Sequence, residues 1–192
     1  MQSWLPTKFF SFLSVNLCVS SVYLCVTFIF NEVDTMSSIA SEHFTKALLV
    51  LLDETFDNVH GAYLDRGTSL FETLADITAA EASIPVGGKC ATLAAQVKHV
   101  AFYLDVVDNS VRDPNYPRAD WDEIWRTISS VTPDEWDTIK AELRTNYNRI
   151  LKLIEDMPAW SSDVEIGGAI AVIAHTAYHL GEIRQALCTL RP

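Results

Sequence analysis

Basic residues are scarce in this chain. Across 192 residues, 14 Lys and Arg stand against 25 Asp and Glu, a formal charge of −11. That balance argues against a nucleic-acid partner, whose phosphates demand a cationic face to displace their counterions. Glycine and proline are also few, at seven each, too few for an all-β fold built on many tight turns. Charged residues reach only 20% while hydrophobic residues make up 49%, the composition of a packed domain and not of a disordered chain. There is no long period-2 run, internal repeat or low-complexity tract, and no Gly-rich phosphate loop, serine-nucleophile elbow or Glu-x-x-His di-iron pattern.

Cysteine is sparse too. Of the four, Cys18 and Cys25 fall in the N-terminal segment and Cys90 and Cys188 in the remainder. No Cys-x-x-Cys occurs, which excludes a dithiol redox motif and a thiolate zinc knuckle. The usage suits a reducing compartment, and two buried, unreactive thiols are expected at Cys90 and Cys188, with a disulfide between them as the alternative.

The one long uncharged run lies at the start, from Phe9 to Phe30. As a helix it would rise about 33 Å, enough to cross a bilayer core. Lys8 before it, with Glu32 and Asp34 after it, leans towards an anchor with its N-terminus inside. A signal peptide fits less well, because the small-residue sequence Ser38-Ile39-Ala40 lies far beyond the run. The third reading is that translation starts at Met36. The chain is therefore divided into residues 1–35, a hydrophobic segment, and residues 36–192, the folded domain. The domain is cytoplasmic if Met36 is the start and membrane-anchored otherwise.

Within the domain, apolar residues recur at helical spacing in four stretches. The first runs from Ser41, a candidate N-cap, to Val59, with Leu48, Leu51, Leu52, Thr55 and Phe56 on one stripe. Gly61 and Gly67 then break the chain, and a short amphipathic piece covers Ser69 to Ile77. After a loop marked by Pro85, Gly87 and Gly88, the second helix carries Leu93, Val97, Val100, Leu104 and Val107 and ends near Asp108-Asn109. The third opens on Thr132-Pro133-Asp134-Glu135, a cap followed by a first-turn proline, and carries Trp136, Ile139, Leu143, Tyr147, Ile150 and Ile154. The fourth spans about Val164 to Leu190, with Ile166, Ile170, Ile173, Ala177, Leu180 and Leu187 as its strongest stripe. These features predict an all-α four-helix bundle with a long loop between the second and third helices. Such a loop within a compact domain is often functional.

The informative motif is His175-Thr176-Ala177-Tyr178-His179. Histidines four apart sit one turn apart on a helix, so both imidazoles can reach one cation at about 2.0–2.1 Å. Thr176 stands where a zinc protease would carry its glutamate. From Ile166 to Leu180 the helix has no charged residue, so it must be covered on two sides, with His175 and His179 opposite the Ile170 stripe. His99 likewise sits off the main stripe of its helix, beside Ala95, Phe102 and Val106. Two readings stay open for these three: ligands converging on one ion, or histidines hydrogen-bonded in a core, the commoner fate of a lone helical histidine. His43 and His60 are expected to be solvated.

Glu182, three residues after His179, is either an acceptor orienting an imidazole from behind or an exposed residue of a helix end. Asp105, Asp108, Glu142 and Asp156 read as solvated faces. Trp121, Trp125 and Trp136 either line a pocket or anchor core and loop.

The sequence Leu93-Ala94-Ala95-Gln96-Val97-Lys98-His99, followed about 75 residues later by His175 to His179 and then Leu180-Gly181-Glu182-Ile183, resembles the DinB/YfiT-like superfamily. Gly67-Thr68-Ser69-Leu70, the segment Ile77 to Ala82, and Ala119-Asp120-Trp121 extend the likeness over about residues 42–190. The resemblance implies a four-helix bundle, commonly a homodimer, with a divalent metal ion held by His99, His175 and His179. Active members of that family include thiol-dependent S-transferases and an isomerase. Glu182 stands where relatives often carry Gln, which adds a negative charge near the metal.

Three functions follow as expectations. The first is a metal-dependent thiol S-transferase acting on a small-molecule substrate, with zinc or nickel as the cofactor and a low-molecular-weight thiol as co-substrate. The second is a non-catalytic, stress-associated metal-binding dimer. The third is a metal-dependent hydrolase, for which only Glu182 offers itself as a base. Arg112, Tyr116 and Arg118 in the long loop are candidates for a thiol's carboxylates, with solvated loop positions as the competing reading.

Overall fold

The computed structural model describes residues 39–85 and 91–191. The expectations for residues 1–35, including the Phe9 to Phe30 run and a start at Met36, and those for Gly87, Gly88 and Cys90, lie outside the described residues. The described residues form α1 (Ser41–Phe56), α2 (Leu70–Leu74), α3 (Ala79–Ala82), α4 (Leu93–Arg112), α5 (Glu123–Thr127), α6 (Pro133–Glu155) and α7 (Asp163–Leu190). They include no strand, only an isolated bridge between Pro85 and Thr92. The expected all-α class is thus observed. No helix among them is long and apolar enough to cross a membrane.

Local sequence explains where the longest helices begin. Thr132 caps α6 by accepting from the Glu135 N–H, and the Glu135 carboxylate accepts in return from the Thr132 N–H at 2.7 Å. Pro133 occupies the first turn, where its missing N–H costs nothing. Ser162 and Glu165 form the same reciprocal pair at the start of α7. Ser41, expected to cap α1, lies inside its first turn, with Ala40 before it. The Ser41 hydroxyl instead accepts from the Trp160 N–H at 3.3 Å. The helix also stops earlier than Val59, at Phe56.

Each of the four long helices packs on two others: α4 on α6 and α7, and α1 on α6 and α7. Between them lie Leu52 and Phe56 of α1, Leu93, Val97, Val100 and Leu104 of α4, Leu143, Tyr147 and Ile150 of α6, and Leu180 and Ile183 of α7, all buried. Phe56 stacks on Tyr147 with centroids 4.2 Å apart. Side chains of this size each stabilise the fold by about 1.5–3 kcal/mol when fully buried. Trp136 belongs to this core, its indole N–H donating to the Ile77 carbonyl at 2.7 Å.

Three sequence expectations are corrected. Asp108 is not solvated: only 1% of its side chain is exposed, and Arg112 and Arg149 both pair with it. Burying that carboxylate alone would be costly, and these two cations offset the cost; the helix runs on to Arg112. Cys188 is exposed, not buried. Finally, the predicted α7 stripe is split: Leu180 is buried and Ile173 and Leu187 pack against the core, but Ile170 does not. The buried residues of α7 are Ala169, Val172, Thr176, His179, Leu180, Ile183 and Ala186, while Ile170 is half exposed. The inward side runs between that stripe and the histidines, taking in Leu180 from one and His179 from the other.

Candidate metal centre

His99 enters from the second turn of α4, and His175 and His179 from one face of α7. Because these two helices pack side by side, the three rings meet between them. Centroid separations are 5.2 Å for His99–His175, 4.9 Å for His99–His179 and 4.7 Å for His175–His179. One ligand atom from each lies within 4.8 Å of the others, so the cluster can hold a metal ion. His99 and His179 are buried and His175 half-buried.

The electrostatics of the cluster favour neutral imidazoles. Burial, then repulsion from His179, takes His99 down to about 4, against a smaller upward pull from Glu182. Burial together with His179 and His99 takes His175 to about 4 as well. Burial lowers His179 too, partly opposed by Glu182. At neutral pH all three rings therefore keep an unprotonated nitrogen, the form that binds a cation.

Hydrogen bonding gives a test of whether the residues fit a metal. His99 Nδ1 and His175 Nε2 are buried without a hydrogen-bond partner. A buried polar atom left unpaired costs roughly 1–3 kcal/mol, and two of them in one cluster call for a ligand. His179 Nδ1 lies 2.9 Å from a Glu182 carboxylate oxygen, which leaves Nε2 as its remaining nitrogen. Of the two readings open for Glu182, the geometry is that of the orienting acceptor. Its carboxylate also neighbours the Tyr178 hydroxyl, whose pKa it raises.

Aromatic rings wall the cluster. Tyr103 stacks on His175 at 3.9 Å, and Trp125 lies against His99 at 4.6 Å. Trp121 meets His99 edge-on at 6.2 Å and Phe102 at 5.5 Å. Trp121 and Trp125 thus belong to the site, whereas Trp136 belongs to the core. Tyr103 was not among the sequence candidates, and neither was Gln96, which lines a groove with Glu182. Their signal was position, since Gln96, His99 and Tyr103 follow at three and four residues along α4 and share a face.

The remaining candidates lie elsewhere. His43 is exposed and His60 pairs with Asp53, half exposed, on the far side of α1's end. Glu142 pairs with Lys98, Asp105 with Arg149, and Asp156 with Lys152. Arg112 is occupied by Asp108, Arg118 is exposed and Tyr116 half-buried. No protein-family model, curated protein or solved structure matches the chain.

Proposed function

We propose that the chain is a DinB/YfiT-like four-helix-bundle metalloprotein, with His99, His175 and His179 holding a divalent ion, zinc or nickel first, and that it activates a thiol for transfer to a small electrophile. The observation that carries this reading is the pair of unpartnered buried nitrogens within a three-histidine cluster. His99, His175 and His179 would hold the ion as neutral imidazoles, and a divalent ion there would supply the charge that lowers the pKa of a bound thiol. Glu182 holds His179 in the tautomer that presents Nε2. Tyr103 stacks on His175 and Trp125 packs tilted against His99, which restricts both rings. In the transfer itself the thiol proton goes to solvent, an S–C bond forms, and the electrophile's leaving-group bond breaks.

The hydrolase reading is weaker, because its candidate base, Glu182, is already engaged by His179. A second copy of the chain is the proposed partner for α7, whose Val164, Ile170 and Tyr178 are exposed. Thiol activation is tested by loading the chain with Ni²⁺ and adding a small thiol at pH 7. The reading predicts a sulfur-to-metal charge-transfer band and proton release on binding. Stoichiometric nickel with neither band nor proton release would favour the non-catalytic metal-binding dimer.

A further inference from the structure

The surroundings of the three histidines also carry information about what reaches them. Trp121 and Trp125 come from the long connection between α4 and α6, and each presses one part of its ring on His99 or its neighbours. Yet 37% and 39% of their surfaces stay open to solvent, against 2% for Trp136 in the core. Two indoles beside a polar cluster, half covered and half free, offer flat apolar area to a ligand.

The charges around this wall point the same way. Arg126, next to Trp125, is bound to Asp120 at 2.7 Å. Arg112 is held by Asp108 and lies 13 residues along α4 from His99, about 20 Å by helical rise. Lys98 is paired with Glu142. The acidic groups Asp122 and Glu123 stand at the start of α5. A groove of ≈ 470 Å³ beside His179's partner Glu182 is lined by Gln96, Tyr178, Glu182 and Gln185 among others. Glu182 presents a carboxylate to it, and the Oε1 of Gln96 is buried without a partner. A carboxylate entering there would meet the negative charge of Glu182, while Lys98, Arg112 and Arg126 are already paired.

We infer that the site takes a ligand with a single metal-binding head on an uncharged aromatic body, stacked on Trp121 and Trp125, and rejects thiols that carry several carboxylates. The inference rests on the metal-centre reading above and names its substrate class. It removes Arg112, held by Asp108, from any role in anchoring a thiol's carboxylates.

The test compares two probe thiols, benzyl mercaptan and mercaptosuccinate, by calorimetric titration of the zinc-loaded full chain. Zinc per chain and melting temperature are read on every variant. Benzyl mercaptan is expected to bind at least tenfold more tightly. Trp125→Ala, compared at equal zinc content, should lower its affinity about tenfold more than that of mercaptosuccinate, and Trp125→Phe should keep most of the preference. Equal or tighter binding of mercaptosuccinate would overturn the inference, as would an aryl preference that survives both Trp121→Ala and Trp125→Ala. A wild-type chain that takes up no zinc would overturn the metal centre and this inference together; one that takes up zinc but prefers the dicarboxylate overturns this inference alone.

Discussion

Glu54 stands on α1 among Leu51, Leu52, Thr55 and Phe56, with no exposed surface. Its carboxylate accepts four backbone N–H bonds from the chain that follows: from His60 at 3.2 Å, Ala62 at 2.9 Å, Tyr63 at 2.7 Å and Leu64 at 2.6 Å. Burial alone would raise its pKa, but these four donors outweigh it and hold the group down to about 2. A depressed carboxylate contributes stability above its unfolded value of 4.5, and that contribution is lost as pH falls from there towards 2. The histidines add a separate window. Their folded values lie below the unfolded 6.5, so the unfolded chain binds protons first and metal-free stability declines as pH drops from 6.5 towards 4. Denaturant titrations of the metal-free chain should therefore show stability falling in two stages, and Glu54→Gln should lower it at pH 7 while flattening only the stage below 4.5. A variant with an unchanged acid limb would contradict the role given to Glu54. Because burial lowers all three histidines, two of them to about 4, zinc affinity should fall off at lower pH than in a site of ordinary histidines. Nothing local marks Glu54 for this task; its partners come from a turn whose path is set by the rest of the fold.

Helices with one apolar stripe were readable, and the helix with apolar residues on every side was not. On α6 the capping residues and the run Trp136, Ile139, Leu143, Tyr147, Ile150 and Ile154 all correspond to the observed cap and buried face. Polar residues on its other sides leave only one face to bury. On α7 no such contrast exists, so the sequence offered two stripes, and the buried face fell between them, with Leu180 inside and Ile170 outside. Packing against α4 decided this, and that contact is invisible in a single helix's periodicity. If the exposed Ile170 face meets a second copy, Ile170→Glu should leave the melting temperature within a few degrees and shift sedimentation from dimer to monomer. An unchanged assembly state would remove that face from the interface. The contact of α4 with α6 hides a similar case. Arg149 bonds Asp105 at 2.7 Å and pairs with the buried Asp108, and its Nη2 reaches Asn109 at 3.1 Å. Arg149→Met would strip Asp108 of one of its two cations, at an expected cost of about 2 kcal/mol, less than a lone buried charge because Arg112 remains. Chemical denaturation would measure it, and a change below about 0.5 kcal/mol would show that Arg112 suffices.

At the scale of the whole molecule, the fold brings three imidazoles from two helices to one place and leaves two of their nitrogens unpartnered. The spacing of His175 and His179 was readable because helix geometry fixes it. The arrival of His99 needed the side-by-side packing of α4 and α7, and the aromatic wall needed the long connection to fold back over them. An ion bound by the folded state alone adds stability by mass action, about 2.7 kcal/mol at a hundredfold excess over its dissociation constant. Chelation should accordingly lower the melting temperature of the wild-type chain and leave a variant lacking all three histidines unmoved. The measurement that bears most directly on the account is zinc per chain after desalting, for the wild type and for His99→Ala. One zinc per wild-type chain is expected, with little retained by His99→Ala and full retention by His43→Ala and His60→Ala. Full stoichiometry and unchanged affinity in His99→Ala would contradict the three-histidine centre, and with it the function proposed for the protein.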